Sequence, residues 1–418
     1  MASFTFRCFE CGARYQEGEV QYVCPACAAH QQPGGATRGV LQVVLDTLPD
    51  RYPDGTFADP NALTPWLPVE SPAHFPPVPV GGTPLLPVPQ LRRALRMPNL
   101  WLKDDSRNPS GSTKDRASAL VVAKARQYGL STVACASTGN AASALACLTA
   151  AAGLRCVVFV PAAAPAAKLV QSVAYGATLV RVDGSYDDAF ELSLAACERF
   201  GWTNRNTAYN PFTIEGKKTA ALEIAAQLAP ERPDAVVVPV GDGVIVAGLA
   251  KGFADLVRAG LLPCPPRLLA VQPEGSSAIA RAVRAGASEV APQPAAASVA
   301  DSLVVVAPRN GAMALAAIRS SGGGAVTVPE EAIVAAIGRL ASTTGVFAEP
   351  AAAAVLPGLE AALAQGLVTR EERVVLLVTG SGLKDVPAAA RGLPLPPPTP
   401  ADLEAVAALV AGQAPLPR

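Results

Sequence analysis

The pattern of apolar and polar positions is most regular between residues 99 and 378, where short β-branched runs alternate with longer, alanine-rich stretches. The short runs predict strands at residues 99–103, 133–136, 156–160, 178–182, 235–240, 268–271 and 374–378. The longer stretches predict helices at residues 114–128, 141–152, 166–175, 187–200 and 244–257. Strands that alternate with helices indicate parallel βαβ units, so the predicted fold is α/β with parallel-type sheets.

Two segments depart from this alternation. Residues 53–89 are rich in proline, which is typical of extended chain that wraps a surface. The residues after Gly392 are again rich in proline and are expected to form a linker before a last short helix. The predicted strands at 133–136, 156–160, 235–240, 268–271 and 374–378 are apolar along their whole length, as expected of sheets that are covered on both faces.

The composition excludes several classes of function. Half of the 418 residues are hydrophobic and 16% are charged, so the chain can bury a sizeable core. The 34 basic and 34 acidic side chains cancel, which predicts no nucleic-acid or membrane partner. The chain has two histidines, His30 and His74, and neither lies in a strong motif. A Ser-His-Asp hydrolase would need one of them, so proton chemistry is expected from another group or from a cofactor.

Residues 127–154 carry no charge and are long enough to span a membrane. They are rich in alanine and are interrupted by Ser137-Thr138-Gly139-Asn140, so a buried strand, loop and helix is the better interpretation. Residues 1–8 contain no apolar run, so a signal peptide is not expected there. Nine cysteines, an odd number, favour a reducing compartment, and we expect a cytoplasmic protein.

Four of the cysteines form two Cys-x-x-Cys pairs, separated by twelve residues: Cys8, Cys11, Cys24 and Cys27. Each pair can present two thiolates from one tight turn, and two such turns complete a tetrahedral zinc site. Four cysteines leave no open coordination position, so this zinc is expected to be structural. The alternative is a set of free cysteines, or a site that has lost its metal.

Lys114 follows a small, flexible segment at residues 108–113 and begins a predicted helix. The positive end of the helix dipole disfavours an ammonium group and favours a neutral, nucleophilic amine. Taken alone, the motif is better explained as a solvated lysine after a turn.

Three further loops follow predicted strands, where α/β proteins place their ligands. The first holds Ser137, Thr138 and Asn140, and it can be an anion cradle or an ordinary helix cap. The second loop resembles a cradle for one phosphate and consists of Gly241, Asp242, Gly243, Val244 and Ile245. It does not match a dinucleotide site, because Val246 stands where such a site has its third glycine. Asp242 must turn away from such a phosphate. The third places the hydroxyls of Thr379 and Ser381 after the last strand.

A reactive lysine together with a phosphate cradle and hydroxyl-bearing loops fits pyridoxal 5′-phosphate, which needs a Schiff-base lysine, a phosphate cup and a partner for its ring nitrogen. The substrate would then be a small molecule with an amino group.

These segments, in their order and spacing, resemble the threonine-synthase family, within the tryptophan-synthase-β-like (fold type II) pyridoxal-phosphate enzymes. The resemblance runs from about residue 5 to residue 390. Beyond the motifs above it includes residues 210–219, 300–302, 308–311 and 345–350.

The resemblance assigns roles to residues. Lys114 would carry the cofactor and shuttle protons, Asn140 would bind the cofactor's phenolic oxygen, and residues 241–245 would hold its phosphate. Thr379, with Ser381 nearby, would face the pyridine nitrogen; a hydroxyl cannot keep that nitrogen protonated, which suits elimination and replacement chemistry. The residues expected to contact the substrate are Ser112, Ser137, Thr138, Asn210 and Thr213.

The chain departs from that family at four places. Thr213 stands where an arginine is usual, and Thr207-Ala208 stands where Asn-Ser is usual; those groups hold the phosphate of O-phosphohomoserine in the family. Thr113 replaces an aromatic residue and Ser381 replaces a histidine. Either a displaced cation serves the substrate phosphate or the substrate lacks one. The candidate cations are Arg205, Lys217, Lys218, Arg309 and Lys384.

The resemblance implies a threonine synthase, which converts O-phosphohomoserine and water to threonine and phosphate. The alternatives are a related β-replacement or elimination enzyme (cysteate synthase-like, or a threonine or serine dehydratase) and, in another class, an inactive zinc-knuckle binding protein. The expected organisation is a zinc knuckle at 1–35, a large domain at 36–115 and 200–392, a small domain at 116–199, and a linker with a C-terminal helix at 393–418. A homodimer is expected.

Overall fold

The computed structural model describes residues 3–32, 34–52, 57–393 and 395–411. Its strands form three sheets. The predicted α/β fold is confirmed, because the two larger sheets are parallel apart from one edge strand and helices connect their strands. No helix in the described ranges is long and apolar enough to cross a membrane.

The larger sheet has six strands, in the order Gly324–Val328, Arg267–Pro273, Ala235–Pro239, Val374–Val378, Leu100–Asp104 and Leu85–Leu86. The first five are parallel and the last is antiparallel. Every residue of Ala235–Pro239 and of Val374–Val378 is buried, as their continuous apolar sequence predicts. The two outermost strands were not predicted.

The smaller parallel sheet has four strands, in the order Thr178–Val182, Arg155–Pro161, Thr132–Ala136 and Thr203–Asn204. The strand Thr132–Ala136 lies inside the sheet and is buried throughout. The uncharged segment 127–154 is therefore a buried strand, a loop and the helix Asn140–Ala152, as predicted.

A third, antiparallel sheet forms near the N-terminus from Arg14–Gln16, Phe4–Cys8 and Leu41–Leu45. Alternate residues of the two longer strands are buried, which gives this sheet one apolar face. Phe4 and Phe6 on that face contact the ring of Phe212, at centroid distances of 6.1 and 5.8 Å. The cysteine-bearing segment is thus attached to the body of the protein through aromatic contacts.

The α-helices of the described residues cover the sheets and form the connections. They are Pro25–Ala28, Pro60–Leu63, Pro89–Leu95, Lys114–Gln127, Asn140–Ala152, Ala166–Ala174, Tyr186–Phe200, Phe212–Lys217, Thr219–Leu228, Val244–Arg258, Ala278–Arg284, Gly311–Ser320, Glu330–Thr344, Pro350–Ala353, Val355–Ala364, Val386–Ala390 and Leu403–Ala411. Short 3₁₀ turns lie at Thr64–Trp66, Pro72–His74, Asp105–Arg107, Asp301–Leu303 and Gly382–Lys384.

The cleft between the two parallel sheets receives the loops at the carboxyl ends of their strands. Three of the predicted motif loops follow Thr132–Ala136, Ala235–Pro239 and Val374–Val378 directly. Lys114 begins the helix that comes after Leu100–Asp104 and its 3₁₀ turn. The parallel topology therefore brings residues that are far apart in the sequence to one place.

Candidate active site

Lys114 lies in a cavity of about 210 Å³, which we call the inner cavity. Burial lowers the pKa of its ammonium group, with Arg205 acting in the same direction, while Glu349 and Asp242 oppose the shift. The sequence argument rested on the helix dipole, and in the structure burial is the first cause of the lowered pKa. Among the described residues, the Nζ atom of Lys114 has no hydrogen-bond or ion-pair partner. An amine in this setting is available for reaction.

Most of the predicted site residues also line the inner cavity: Ser137, Thr138, Asn140, Gly241, Asp242, Gly243, Val244, Ile245 and Thr379. A larger outer cavity of about 920 Å³ adjoins it and shares Asn140 and Glu349 in its wall. Ser381 lines the outer cavity only.

The turn at residues 241–245 is shaped for close approach of an anion. Gly243 has a φ of +93° and caps the helix Val244–Arg258, and a Cβ on it would lie 2.5 Å from the Cβ of Ala314. The carboxylate of Asp242 accepts a hydrogen bond from the backbone N–H of Arg309 at 3.1 Å. The Asp242 carboxylate is therefore occupied by the backbone of Arg309, as its place beside a phosphate requires. The start of the helix leaves backbone N–H groups that can bind the anion.

Thr379 and Ser381 have different surroundings. Thr379 is buried at the end of its strand, and its carbonyl oxygen accepts a hydrogen bond from the N–H of Thr113 at 2.8 Å. The hydroxyl of Ser381 accepts from the N–H of Leu383 at 3.3 Å and caps the 3₁₀ turn Gly382–Lys384. Of these two hydroxyls, the structure brings that of Thr379 to the inner cavity.

Glu349 is a residue of the site that sequence reasoning missed. Its carboxylate accepts hydrogen bonds from the side-chain amide of Asn140 at 3.0 and 2.9 Å. Burial raises the pKa of Glu349, although Asn140 and Lys114 favour its charged form. The available signal was that Glu349 is the only carboxylate between Glu331 and Glu360.

Three predicted substrate contacts lie outside both cavities. Ser112 is fully buried, and its hydroxyl accepts from the N–H of Lys114 at 3.4 Å. Asn210 donates to the carbonyl of Asn204 at 2.6 Å and accepts from the N–H of Phe212. The hydroxyl of Thr213 donates to the carbonyl of Asn210 at 2.7 Å. Local backbone bonds hold these side chains, so the structure does not bring them into either cavity.

The five candidate cations separate into two groups. Lys218 is paired with Glu215 and, at 2.9 Å, with Asp255. Arg309 pairs with Asp187 at 2.5 Å, and Lys384 donates to Ser143 at 2.8 Å and to Gln171 at 2.6 Å. Arg205 and Lys217, in contrast, line the inner cavity.

The four N-terminal cysteines form a cluster in which all sulfur atoms lie within 4.8 Å of one another. The Cys8–Cys27 and Cys11–Cys24 sulfur distances are 3.8 and 3.7 Å. A tetrahedron with zinc–sulfur bonds of about 2.3 Å has edges of about 3.8 Å, so the cluster matches the size of a zinc site.

Comparison with known proteins agrees with this geometry. The family model described as pyridoxal-phosphate dependent enzyme matches residues 78–380. The chain is 35% identical over 395 residues to threonine synthase of Methanocaldococcus jannaschii, covering 92% of this chain and 94% of that protein. The chain belongs to the threonine-synthase family of pyridoxal-phosphate enzymes. It is also 36% identical over 390 residues to threonine synthase of Methanosarcina acetivorans, covering 91% and 92%.

Solved structures share the fold with this member of the threonine-synthase family. The processed form of threonine deaminase isoform 2 from Solanum lycopersicum superposes with a TM-score of 0.64 at 22% identity, over 74% of this chain and 87% of that one. The family match confirms the prediction of a pyridoxal-phosphate enzyme, and the superposition confirms its fold.

Proposed function

We propose that this protein is a threonine synthase that converts O-phosphohomoserine and water to threonine and phosphate. Its relatives of that name cover nearly the whole chain. The observation that carries the proposal is the inner cavity, which unites an unpaired lysine, a glycine-lined turn, Asn140 and Thr379. Each of these matches one requirement of bound pyridoxal phosphate, namely an imine-forming amine, a phosphate cup and partners for the ring.

The cofactor would supply an electron sink for the electrons left when a proton leaves the substrate. Lys114 would hold the cofactor and, once the substrate amine has displaced it, would take and return protons. Its depressed pKa favours a neutral amine, which can accept a proton at neutral pH. The turn at 241–245 would hold the cofactor phosphate through backbone N–H groups.

Asn140 would orient the cofactor through its phenolic oxygen. A side-chain amide has two hydrogens, so Asn140 can keep one bond to Glu349 and give the other to that oxygen. Thr379 would present a neutral hydroxyl to the ring nitrogen, and Ser137 with Thr138 would contact the substrate near the start of the helix Asn140–Ala152. Thr379 alone would face the pyridine ring, because Ser381 caps a turn that lines the outer cavity.

The four-cysteine cluster would hold one structural zinc ion. Its closed set of four sulfurs and its distances support this role. The domain limits given above, the homodimer and the cytoplasmic location stay predictions.

A second function, the dehydration of threonine or serine, is favoured by one observation. Thr213, at the position where the resemblance leads us to expect an arginine, is neutral and turned toward the carbonyl of Asn210. An enzyme without a phosphate-binding arginine there can act on an amino acid that has no phosphate.

Spectral titration of the purified holoenzyme separates these functions. L-threonine, O-phosphoserine and O-phosphohomoserine are added in turn, and the change in the cofactor absorbance is recorded. We expect O-phosphohomoserine to change the spectrum at the lowest concentration. A response to threonine alone would favour the dehydratase.

A further inference from the structure

The inner cavity holds two buried cations that have no acidic partner among the described residues. Arg205 is 0% exposed, and its guanidinium donates to the hydroxyls of Ser118 and Thr207, both at 2.9 Å, and to the carbonyl of Lys114 at 3.4 Å. Lys217 is 2% exposed, and its Nζ atom has no hydrogen-bond or ion-pair partner in the described ranges. A buried charge is costly unless an opposite charge accompanies it.

Other buried cations of this chain follow that rule. Lys103 pairs with Glu223 at 2.6 Å, and Arg116 pairs with Asp105 at 2.7 Å. Lys124 pairs with Glu17 at 2.7 Å. Arg205 and Lys217 differ from these residues, which indicates that their counter-charge comes from a bound molecule.

The three carboxylates that line the inner cavity, Asp242, Asp301 and Glu349, form no ion pair with these cations, and Asp301 pairs with Lys168 at 2.7 Å. Asp242 is bonded to the backbone of Arg309, and Glu349 is bonded to Asn140. Neither forms an ion pair with Arg205 or Lys217. Arg205 and Lys217 therefore remain available to an anion, and a phosphate monoester dianion offers one negative charge to each.

Close packing against Gly248 determines where the Lys217 side chain runs. A Cβ on Gly248, in the helix that follows the 241–245 turn, would lie 2.7 Å from the Cβ of Lys217. The glycine leaves room for the lysine stem beside that helix. Arg205 reaches the same cavity from the end of the strand Thr203–Asn204.

We propose that Arg205 and Lys217 bind the phosphate group of the substrate, in place of the arginine that Thr213 replaces. The proposal rests on the proposed function, because it assigns the leaving phosphate of O-phosphohomoserine to these two residues. The hydroxyl of Thr207, already held by Arg205 at 2.9 Å, provides a further donor. The backbone N–H groups at 241–245 remain for the phosphate of the cofactor.

The electrostatics of Lys217 agree with this assignment. Burial lowers the pKa of its ammonium group well below the usual value, and Lys114 and Arg205 lower it further, while Asp242 opposes them. A bound dianion would favour the charged ammonium again and would form charge-assisted hydrogen bonds with it.

The test compares two ligands that differ only in the phosphate, O-phosphohomoserine and L-homoserine, by spectral titration of the holoenzyme. Lys217→Gln should weaken binding of O-phosphohomoserine about ten- to a hundredfold, the effect of one charge-assisted contact. Binding of L-homoserine and retention of pyridoxal phosphate should change less than about twofold. Arg319→Gln removes one positive charge from an exposed position outside both cavities and is the control, with unchanged binding expected.

An equal loss for both ligands, a loss confined to pyridoxal phosphate, or the same loss in Arg319→Gln would overturn the proposal. If Lys217→Gln does not fold, Arg205→Lys is measured instead, since it keeps the charge but has fewer hydrogen-bond donors. It should also weaken binding of O-phosphohomoserine more than binding of L-homoserine, by a smaller factor.

Binding of inorganic phosphate tests the phosphate site separately from the proposed reaction. Its binding to the holoenzyme is measured by calorimetry in wild type and in Lys217→Gln. Weaker binding in the variant supports the phosphate site even if O-phosphohomoserine is not turned over. Absence of binding to the wild type, or equal binding to both proteins, contradicts the site whatever the reaction is.

Discussion

The side-chain amide of Asn140 donates to both carboxylate oxygens of Glu349, over 3.0 and 2.9 Å. This contact joins the first residue of the helix Asn140–Ala152 to the turn before the helix Pro350–Ala353. It fixes the orientation of an amide in the inner cavity and places a negative charge near Lys114. Glu349 is therefore a positioning residue for Asn140 and an electrostatic partner for the lysine.

Glu349→Gln should lower the pH at which the Schiff-base absorbance of the holoenzyme titrates, by roughly one unit. The carboxylate favours the protonated form of the Lys114 nitrogen, so its removal lowers that pKa. An absorbance titration between pH 5 and 10 measures the shift. Glu331→Gln removes an exposed carboxylate and is the control; an unchanged midpoint in Glu349→Gln would show that the carboxylate does not act on Lys114.

Gly380→Ala should disturb the same contact from its other side. A Cβ on Gly380 would overlap the carboxylate of Glu349, whose backbone N–H donates to the carbonyl of Gly380 at 3.0 Å. The overlap should cost about 1–3 kcal/mol of unfolding free energy and should reproduce the absorbance shift of Glu349→Gln. Denaturant unfolding and the same titration measure both effects. A variant with wild-type stability and spectrum would mean that Glu349 moves freely.

Zinc should be present at about one ion per chain, because four sulfurs surround a single site. Cys11→Ser removes the exposed member of the cluster and should lower the zinc content of the purified protein well below that level. Metal analysis after dialysis provides the measurement. Cys264→Ser, which removes an exposed cysteine outside the cluster, should retain the zinc. Equal zinc in both variants would contradict the site.

Acid should destabilise the protein through a buried ion network beneath the site. Burial would raise the pKa of Asp105, but Arg116 outweighs it and holds the pKa at about 2. A lowered pKa means that this stabilisation is present above the unfolded value near pH 4 and is lost as the pH falls toward 2, in total on the order of 2 kcal/mol. Unfolding free energies from pH 6 to pH 2.5 should follow this course.

Asp105→Asn should remove most of that acid dependence and should destabilise the protein at pH 7 by about 3–5 kcal/mol, because Arg116 loses a buried partner. Asp50→Asn, at an exposed position, is the control. An unaltered pH profile in Asp105→Asn would assign the acid sensitivity to other groups.

The sequence predicted the parallel sheets because most of their strands, such as Ala235–Pro239 and Val374–Val378, are continuous apolar runs between clear helices. It also predicted that loops after those strands meet, as Lys114, Asn140 and Thr379 do. The N-terminal sheet was missed because Phe4–Cys8 and Leu41–Leu45 pair across a long segment of turns.

The structure leaves two predicted substrate contacts outside the inner cavity, because local bonds hold their side chains. Asn210 and Thr213 lie in a recognisable motif, but each side chain satisfies backbone groups of its own turn. Spacing along the chain does not reveal those local bonds. Glu349 was missed for the opposite reason, since its partner Asn140 is 209 positions away.

The most direct test of the account is the product analysis of purified holoenzyme given O-phosphohomoserine, with wild type and Lys114→Ala compared under the same conditions. We predict that wild type releases threonine and inorganic phosphate in equal amounts, and that Lys114→Ala releases neither and lacks the Schiff-base absorbance. Wild-type protein that releases no phosphate from O-phosphohomoserine, but forms ammonia and a keto acid from threonine or serine, would contradict the threonine-synthase function.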